Sequence, residues 1–278
     1  MDSENWIGEP LSDYRENLIV DVNSPVLAFK AMRDRYTGER IPFAGRPYLA
    51  SPCSEDALTW NVFRWLQVHG HEDVIGHCLG IETPETILFW GFDPQNPGDH
   101  QFTLGELIRG VDGVRRGQVT EPDLVLIGPQ TVLFVECKLG RAGQPLYQPW
   151  SGKGAKRLGD YQDQLARAGI ELFGPALKQA EAERYYQLVR NAFYAVMLAR
   201  ALEGQNAVVT ALLNADNADH NRRYATPREQ LAAFREMVDP DACQIRLLTW
   251  QNVAEGIERH LGPCEATVQL RQTFERCR

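Results

Sequence analysis

Residues 121–138 read EPDLVLIGPQTVLFVECK and contain two apolar runs separated by a Gly-Pro-Gln turn. The first run is Asp123–Ile127 and the second is Thr131–Lys138. Gly and Pro between two apolar, β-branched runs are typical of a β-hairpin. Because both faces of each predicted strand are apolar, we expect other elements to cover the hairpin on both sides.

The turn also predicts which residues face each other across the hairpin. Gly128 and Thr131 are expected to form the pair next to the turn. Counting outward from that pair places Asp123 directly opposite Glu136, on one face, with Cβ atoms roughly 4.5–5.5 Å apart. Lys138 lies two residues beyond Glu136, so its side chain is expected on the same face.

Two like charges in opposed positions are destabilising unless something compensates them. A divalent cation would do so, and Mg²⁺ prefers one or two carboxylates with waters and phosphate oxygens. Asp123 and Glu136 offer that set, and the backbone carbonyl of Cys137 would add an oxygen. A structural alternative is an ion pair, because Glu121 faces Lys138 in the same register. The cost of unpaired charge in a buried hairpin favours a functional site.

Further periodic segments predict an α/β chain around the hairpin. A helix is expected to begin at Ser51 and Pro52 and to end at Gly70, and residues 82–93 contain a strand. After an insertion at residues 139–178, helices and strands alternate. They are expected at Glu181–Leu202, Ala207–Leu213, Pro227–Val238, Gln244–Trp250 and, as the last helix, Gln251–Leu261. This order predicts a mixed central sheet flanked by helices.

The domain organisation follows from composition. Residues 1–50 are polar and rich in turn formers, with one short helix expected at Pro25–Tyr36, so they predict an irregular N-terminal layer. Residues 51–278 are expected to form the main domain, which is long enough to bury a substantial core. Residues 69–78 predict a turn-rich loop whose histidines and cysteine fit no usual zinc spacing.

The segments EPD at 121–123 and ECK at 136–138 resemble the bipartite motif of the PD-(D/E)xK nuclease superfamily. That resemblance implies the restriction-endonuclease-like fold, which has an αβββαβ core. By element order it covers roughly residues 51–262. It implies a nuclease that hydrolyses phosphodiester bonds of DNA, in restriction, phage defence or repair.

The resemblance also implies roles for individual residues. Asp123 and Glu136 would bind Mg²⁺, for which Mn²⁺ would substitute, and Lys138 would assist the attacking water. Glu55 matches a carboxylate that often joins the metal site from the helix before the sheet. An acidic residue in a first helical turn is also favoured by the helix dipole, so Glu55 has a structural alternative.

The predicted helix after the hairpin carries a polar stripe. Gln187, Arg190, Asn191 and Tyr194 follow at spacings that place them on one face. In the superfamily the corresponding helix often carries a Gln that supports the active site or contacts DNA. Gln187, Arg190 and Asn191 are therefore expected to bind nucleic acid, with an ordinary solvated face as the alternative.

The insertion contains a basic loop. Lys153, Lys156 and Arg157 would grip phosphates, since lysine and arginine supply non-specific affinity for nucleic acid, although a solvated loop is equally compatible with them. The formal net charge of −8 argues against a strongly basic nucleic-acid binder, but a locally basic cleft is compatible with it. DNA is the expected partner, with a second copy of the chain or another protein as further candidates.

The six cysteines are scattered without a CxxC pair, and no signal-peptide pattern is present, so free thiols in the cytoplasm are expected. No apolar stretch approaches the roughly 20 residues that span a bilayer. A non-catalytic member of the same fold, binding nucleic acid or a protein, is the main alternative function. A sugar hydrolase with paired carboxylates is a weaker one, because a lysine lies beside the acids.

Overall fold

A computed structural model describes residues 11–36, 47–96, 104, 122–139, 158–202, 204–218 and 226–277. Within these residues, five strands form one sheet, with helices on both faces. The strands are β1 Thr86–Phe89, β2 Leu124–Ile127, β3 Thr131–Lys138, β4 Asn206–Leu213 and β5 Gln244–Thr249. This mixed sheet flanked by helices confirms the α/β class expected from the sequence.

The helices are numbered in chain order and form three successive groups along the chain. The first group is α1 Pro25–Tyr36, α2 Glu55–Thr59, α3 Trp65–Val68 and α4 Glu72–Leu79. The second group is α5 Leu158–Arg167, α6 Gln179–Arg184, α7 Tyr186–Ala201 and α8 Ala215–Ala218. The third group is α9 Pro227–Arg235, α10 Trp250–Leu261 and α11 Glu265–Arg276.

The sheet has the order β1-β2-β3-β4-β5. The first three strands are antiparallel neighbours, whereas β3, β4 and β5 run parallel. A parallel connection needs a crossover, which α7 supplies between β3 and β4. The central strand is therefore β3, which is hydrogen-bonded along both edges.

The predicted hairpin register is confirmed. Leu124 pairs with Val135, and the amide of Gly128 donates to the carbonyl of Thr131 at 2.9 Å. The Glu82 carboxylate forms two hydrogen bonds with the turn. It accepts from the Gln130 amide at 2.8 Å and from the Thr131 hydroxyl at 3.0 Å. This contact ties the hairpin turn to the segment that leads into β1.

Alternation along the strands divides the core into two layers. On one face, Leu133, Val135 and Cys137 pack with residues of α1, α2, α4, α10 and α11. On the other face, Val132 and Phe134 pack with α5, α7 and α9. Both faces of the hairpin are covered, as its continuous apolar character predicted.

The first helix of the main domain begins three residues later than expected. Its cap is Ser54, whose hydroxyl accepts from the Ala57 amide at 3.1 Å, whereas the Ser51 hydroxyl accepts from the Cys53 amide at 3.2 Å within a turn. A π-helical turn at Trp60–Arg64 separates α2 from α3. The single continuous helix of the sequence interpretation is therefore corrected to three successive segments.

Three other expectations are corrected. The segment expected to be a turn-rich loop forms α4, in which Gly76 lies so close to Glu82 that an added Cβ would be 2.6 Å from its carbonyl oxygen. The long helix expected from Glu181 is interrupted at Tyr185, a buried residue whose ring packs 5.5 Å from that of Phe234. The helix ending at Leu261 is not the last, because α11 follows it.

A disulfide joins Cys53 to Cys277, with their Cα atoms 5.7 Å apart. The expectation of free thiols is wrong for this pair, because folding brings together residues separated by 224 positions. Cys78, Cys137, Cys243 and Cys264 are free. Among the described residues, no helix is long and apolar enough to cross a membrane. The cytoplasmic location stays a prediction.

Candidate active site

The candidate site lies where β3 ends and β2 begins. Glu136 and Lys138 lie among the last three residues of β3, and Asp123 is the residue just before β2. Glu55 is the first residue of α2, placed there by the Ser54 cap. The antiparallel hairpin and the start of one helix thus bring four predicted residues to one sheet end.

Lys138 links two of the carboxylates. Its Nζ lies 2.8 Å from Glu136 Oε1 and 3.6 Å from Glu55 Oε2. The side chains of Lys138 and Glu55 are 22% and 20% exposed, whereas that of Glu136 is 4% exposed. The two partly exposed groups are therefore reachable from outside, above a deeply buried acid.

Each carboxylate is also fixed by a hydrogen bond. The Cys137 amide donates to Asp123 Oδ2 at 2.7 Å, and the Leu139 amide donates to Glu55 Oε1 at 2.9 Å. The side-chain amide of Asn191, on α7, donates to Glu136 Oε2 at 3.1 Å. Backbone groups of the β3 end and one helix side chain therefore define the carboxylate positions.

Burial and mutual repulsion set the electrostatics of the site. Burial, and next the charge of Glu136, hold the pKa of Asp123 well above its usual range. Burial also raises the pKa of Glu55, which Lys138 and the Leu139 amide partly oppose. Burial alone would lower the pKa of Lys138, but the surrounding carboxylates together raise it well above its usual range.

The donor set fits a divalent cation in chemical type and charge. Three carboxylates face one lysine, so the cluster carries excess negative charge when all four groups are ionised. Carboxylate oxygens are the ligands that Mg²⁺ prefers. Within the described residues, no three His, Cys, Asp or Glu side chains are grouped closely enough to hold a metal ion. Instead, the Lys138 ammonium forms ion pairs with Glu136 and Glu55.

The predicted polar stripe of α7 points partly inward. Asn191 and Tyr194 are fully buried, so Asn191 orients Glu136 and does not face the outside. Gln187, one turn before Asn191 on the same face, and Arg190 are only partly buried. Gln187 Oε1 and Arg190 Nε are shielded from solvent and, among the described residues, have no hydrogen-bond partner. The Arg190 guanidinium lies 5.3 Å from the centre of the Tyr186 ring.

Several predicted residues lie outside the described part of the chain. These are Glu121 and the basic residues Lys153, Lys156 and Arg157. Their expected roles stay predictions. The structural alternative for Lys138, an ion pair with Glu121, is therefore untested, and the contacts that the structure does give Lys138 are to Glu136 and Glu55.

A second charged group beside the site was missed by the sequence interpretation. Asp56 Oδ1 accepts from the Trp90 indole at 2.7 Å, and Asp56 Oδ2 lies 3.3 Å from Lys30 Nζ. Tyr48 is near the same acids, and burial followed by the charge of Glu55 raises its pKa. The three residues of the Asp56 contacts come from separate segments, so no local pattern could reveal them.

Comparison with known families matches residues 10–275 to a family described as Restriction Endonuclease associating with ARP. Parallel comparisons with curated proteins and with solved structures found no match. The family match spans almost the whole chain, from before α1 to the penultimate residue of α11. The chain therefore belongs to the family of restriction endonucleases associating with ARP.

Proposed function

We propose that the chain is a metal-dependent nuclease of the PD-(D/E)xK type that hydrolyses DNA phosphodiester bonds. The observation that carries the proposal is the cluster of Glu55, Asp123, Glu136 and Lys138 at the end of the sheet. Three acids grouped around one lysine in a partly buried position lower the stability of the fold, and functional sites are where such groupings are concentrated. Membership of a restriction-endonuclease family supports DNA as the substrate.

The acidic residues would hold Mg²⁺, with Mn²⁺ as a substitute. Asp123, Glu136 and Glu55 would supply carboxylate oxygens, and the Cys137 carbonyl would supply one more. When bound, the metal ion would polarise the scissile phosphate and lower the pKa of a bound water.

The remaining residues of the cluster would work around the metal ligands. Lys138 would orient the attacking water or stabilise negative charge on the phosphate oxygens. Its position depends on Glu136 and Glu55, the two groups with which it forms ion pairs. Asn191 would keep Glu136 in one orientation through its hydrogen bond.

DNA would be held by residues near this cluster. Gln187 Oε1 and Arg190 Nε are shielded and have no hydrogen-bond partner among the described residues. A phosphate could accept from Arg190 Nε, and a base could donate to Gln187 Oε1. Further contacts with the DNA phosphate backbone would come from Lys153, Lys156 and Arg157. Arginine and lysine contacts of this kind would weaken as salt concentration rises.

The test is a cleavage assay on linear, circular and single-stranded DNA with Mg²⁺, Mn²⁺ or EDTA. We expect metal-dependent cleavage by the wild-type chain and its loss in Lys138→Ala, Asp123→Ala and Glu136→Ala. Arg271→Ala is a suitable control, because Arg271 is exposed on α11 and its ion-pair partner, Glu258, belongs to α10. Full activity in any of the three site variants would overturn the assignment of that residue.

A non-catalytic binding role is the second candidate function. The net charge of −8 favours it over a strongly basic nucleic-acid binder, and the family description names an association with ARP. Calorimetry with Mg²⁺ and Mn²⁺ separates the candidates. Metal binding that Asp123→Asn abolishes supports the nuclease, whereas no cleavage and no metal binding would favour the binding role.

A further inference from the structure

Trp90 adopts a backbone conformation that is unusual for its residue type. Its φ is +51°, and the following Gly91 has φ +87°. The Phe89 and Phe92 backbones exchange two hydrogen bonds of 2.8 Å around this pair, so Trp90 and Gly91 form a two-residue turn. Such turns favour Asn, Asp or Gly at the first position, and a bulky residue there is strained. Strain of this kind persists when surrounding contacts compensate for it.

The contacts of Trp90 reach both acidic elements of the site. Its indole Nε1 donates to Asp56 Oδ1 at 2.7 Å, and Asp56 is the neighbour of Glu55 in α2. Its backbone amide donates to the Asp123 carbonyl at 3.3 Å. One buried residue thus connects the helix that carries Glu55 with the residue that carries the Asp123 carboxylate.

Lys30 compensates the charge of Asp56. Its Nζ lies 3.3 Å from Asp56 Oδ2 and 5.4 Å from the centre of the Trp90 ring. The side chains of Lys30 and Asp56 are 13% and 9% exposed. Asp56 can therefore anchor the indole with its charge largely balanced, and α1 becomes part of the support of the site.

We infer that Trp90 and Asp56 are positioning residues that hold the Glu55 and Asp123 carboxylates in fixed relation, with Lys30 as their counter-charge. This inference rests on the proposed function, because it assigns the fixed relation to metal binding. Neither residue needs to contact DNA. The unusual turn conformation is then maintained because it directs one side chain and one amide to two separate ligand-bearing segments.

The first test measures amide hydrogen exchange in the metal-free protein. The amides of Leu139 and Cys137 are bonded to the Glu55 and Asp123 carboxylates, so they report the carboxylate positions. Trp90→Phe keeps an aromatic ring but removes the indole donor. We expect the Leu139 amide to exchange about tenfold faster in that variant, the effect of about one lost hydrogen bond. The Cys137 amide should change less, because the backbone amide of residue 90 still donates to the Asp123 carbonyl. Unchanged exchange of the Leu139 amide would overturn the inference.

A matched control and a second variant separate positioning from general stability. Trp250 is fully buried and its indole nitrogen has no hydrogen-bond partner among the described residues. Trp250→Phe should therefore leave both amides protected. Asp56→Ala removes the acceptor without touching the turn, and should accelerate the Leu139 amide even where Trp90→Phe fails to fold. Equal acceleration in Trp250→Phe would indicate loosening of the whole core and refute a positioning role.

The second test uses cleavage kinetics and Mn²⁺ binding by calorimetry. Trp90→Phe should lower kcat and weaken Mn²⁺ binding while leaving KM for DNA unchanged, because it displaces ligands and not DNA contacts. Wild-type kcat and Mn²⁺ affinity in Trp90→Phe would refute the inference and leave the nuclease proposal intact. If the wild-type chain neither cleaves DNA nor binds Mn²⁺, the nuclease proposal fails. The positioning inference then fails too as a statement about metal ligands, and the exchange data test its geometric part alone.

Discussion

Breaking the bond between Cys53 and Cys277 should be the largest single perturbation of stability that leaves the core untouched. The cross-link closes a loop of 224 residues in the unfolded chain. In the chain-entropy estimate, a loop of that length stabilises the folded state by about 5 kcal/mol. Native proteins typically have a free energy of unfolding of about 5–15 kcal/mol. Reduction of the disulfide should therefore remove a third or more of that free energy.

The assay is urea unfolding of the oxidised and reduced protein, followed by circular dichroism. Both cysteines are partly exposed, so a phosphine reductant can reach them. The double variant Cys53→Ala/Cys277→Ala should have the free energy of unfolding of the reduced wild type, and the reductant should not change it. Cys264→Ala should lose stability on reduction as the wild type does. Equal free energies of unfolding in the oxidised and confirmed reduced protein would refute the reasoning.

Three further predictions concern buried polar groups. Asn191→Asp places a carboxylate against Glu136, and should lower the free energy of unfolding by about 3 kcal/mol in urea titrations, since it leaves uncompensated buried charge; a neutral result would contradict the observed contact. Asp123→Asn should stabilise the metal-free protein at pH 7. The raised pKa of Asp123 means that its ionised form is disfavoured by folding, so the gain should shrink as pH falls through that pKa, and a gain that grows toward acid would be contradictory. Burial raises the pKa of Cys243 to about 12, so at pH 8 a thiol reagent should modify Cys264 and spare Cys243 until the protein is denatured.

The central hairpin was predictable because local chemistry determines it. Pairing Gly128 with Thr131 leaves Pro129 and Gln130 as a two-residue connection, the commonest length in hairpins. Side-chain alternation along β3 then placed Glu136 and Lys138 on one face. In the structure, Lys138 Nζ lies 2.8 Å from Glu136 Oε1. Glu55 was added by resemblance alone, and its distance to Lys138 is a result of packing between α2 and the sheet.

The features that were missed depend on tertiary contacts. The disulfide and the contacts of Asp56 each join segments that are far apart in the sequence. Trp90 occupies a turn position where intrinsic preference favours small or amide residues, so propensity argued against the observed conformation. Tyr185 interrupts a pattern that is helical on both sides, because its ring is buried against α9.

The hydrogen bonds between Glu82 and the hairpin turn affect the register of the two strands. Side chains alternate across the sheet, so a one-residue shift of β3 against β2 would move Glu136 to the opposite face, and the Glu82 contacts with Gln130 and Thr131 oppose such a shift. Asp123 lies five residues from Gly128, about 17 Å along the strand. Such a shift would nevertheless remove Glu136 from the position opposite Asp123. Loss of the Glu82 carboxylate should therefore loosen the register that sets Glu136 opposite Asp123, although Glu82 lies at the other end of the hairpin.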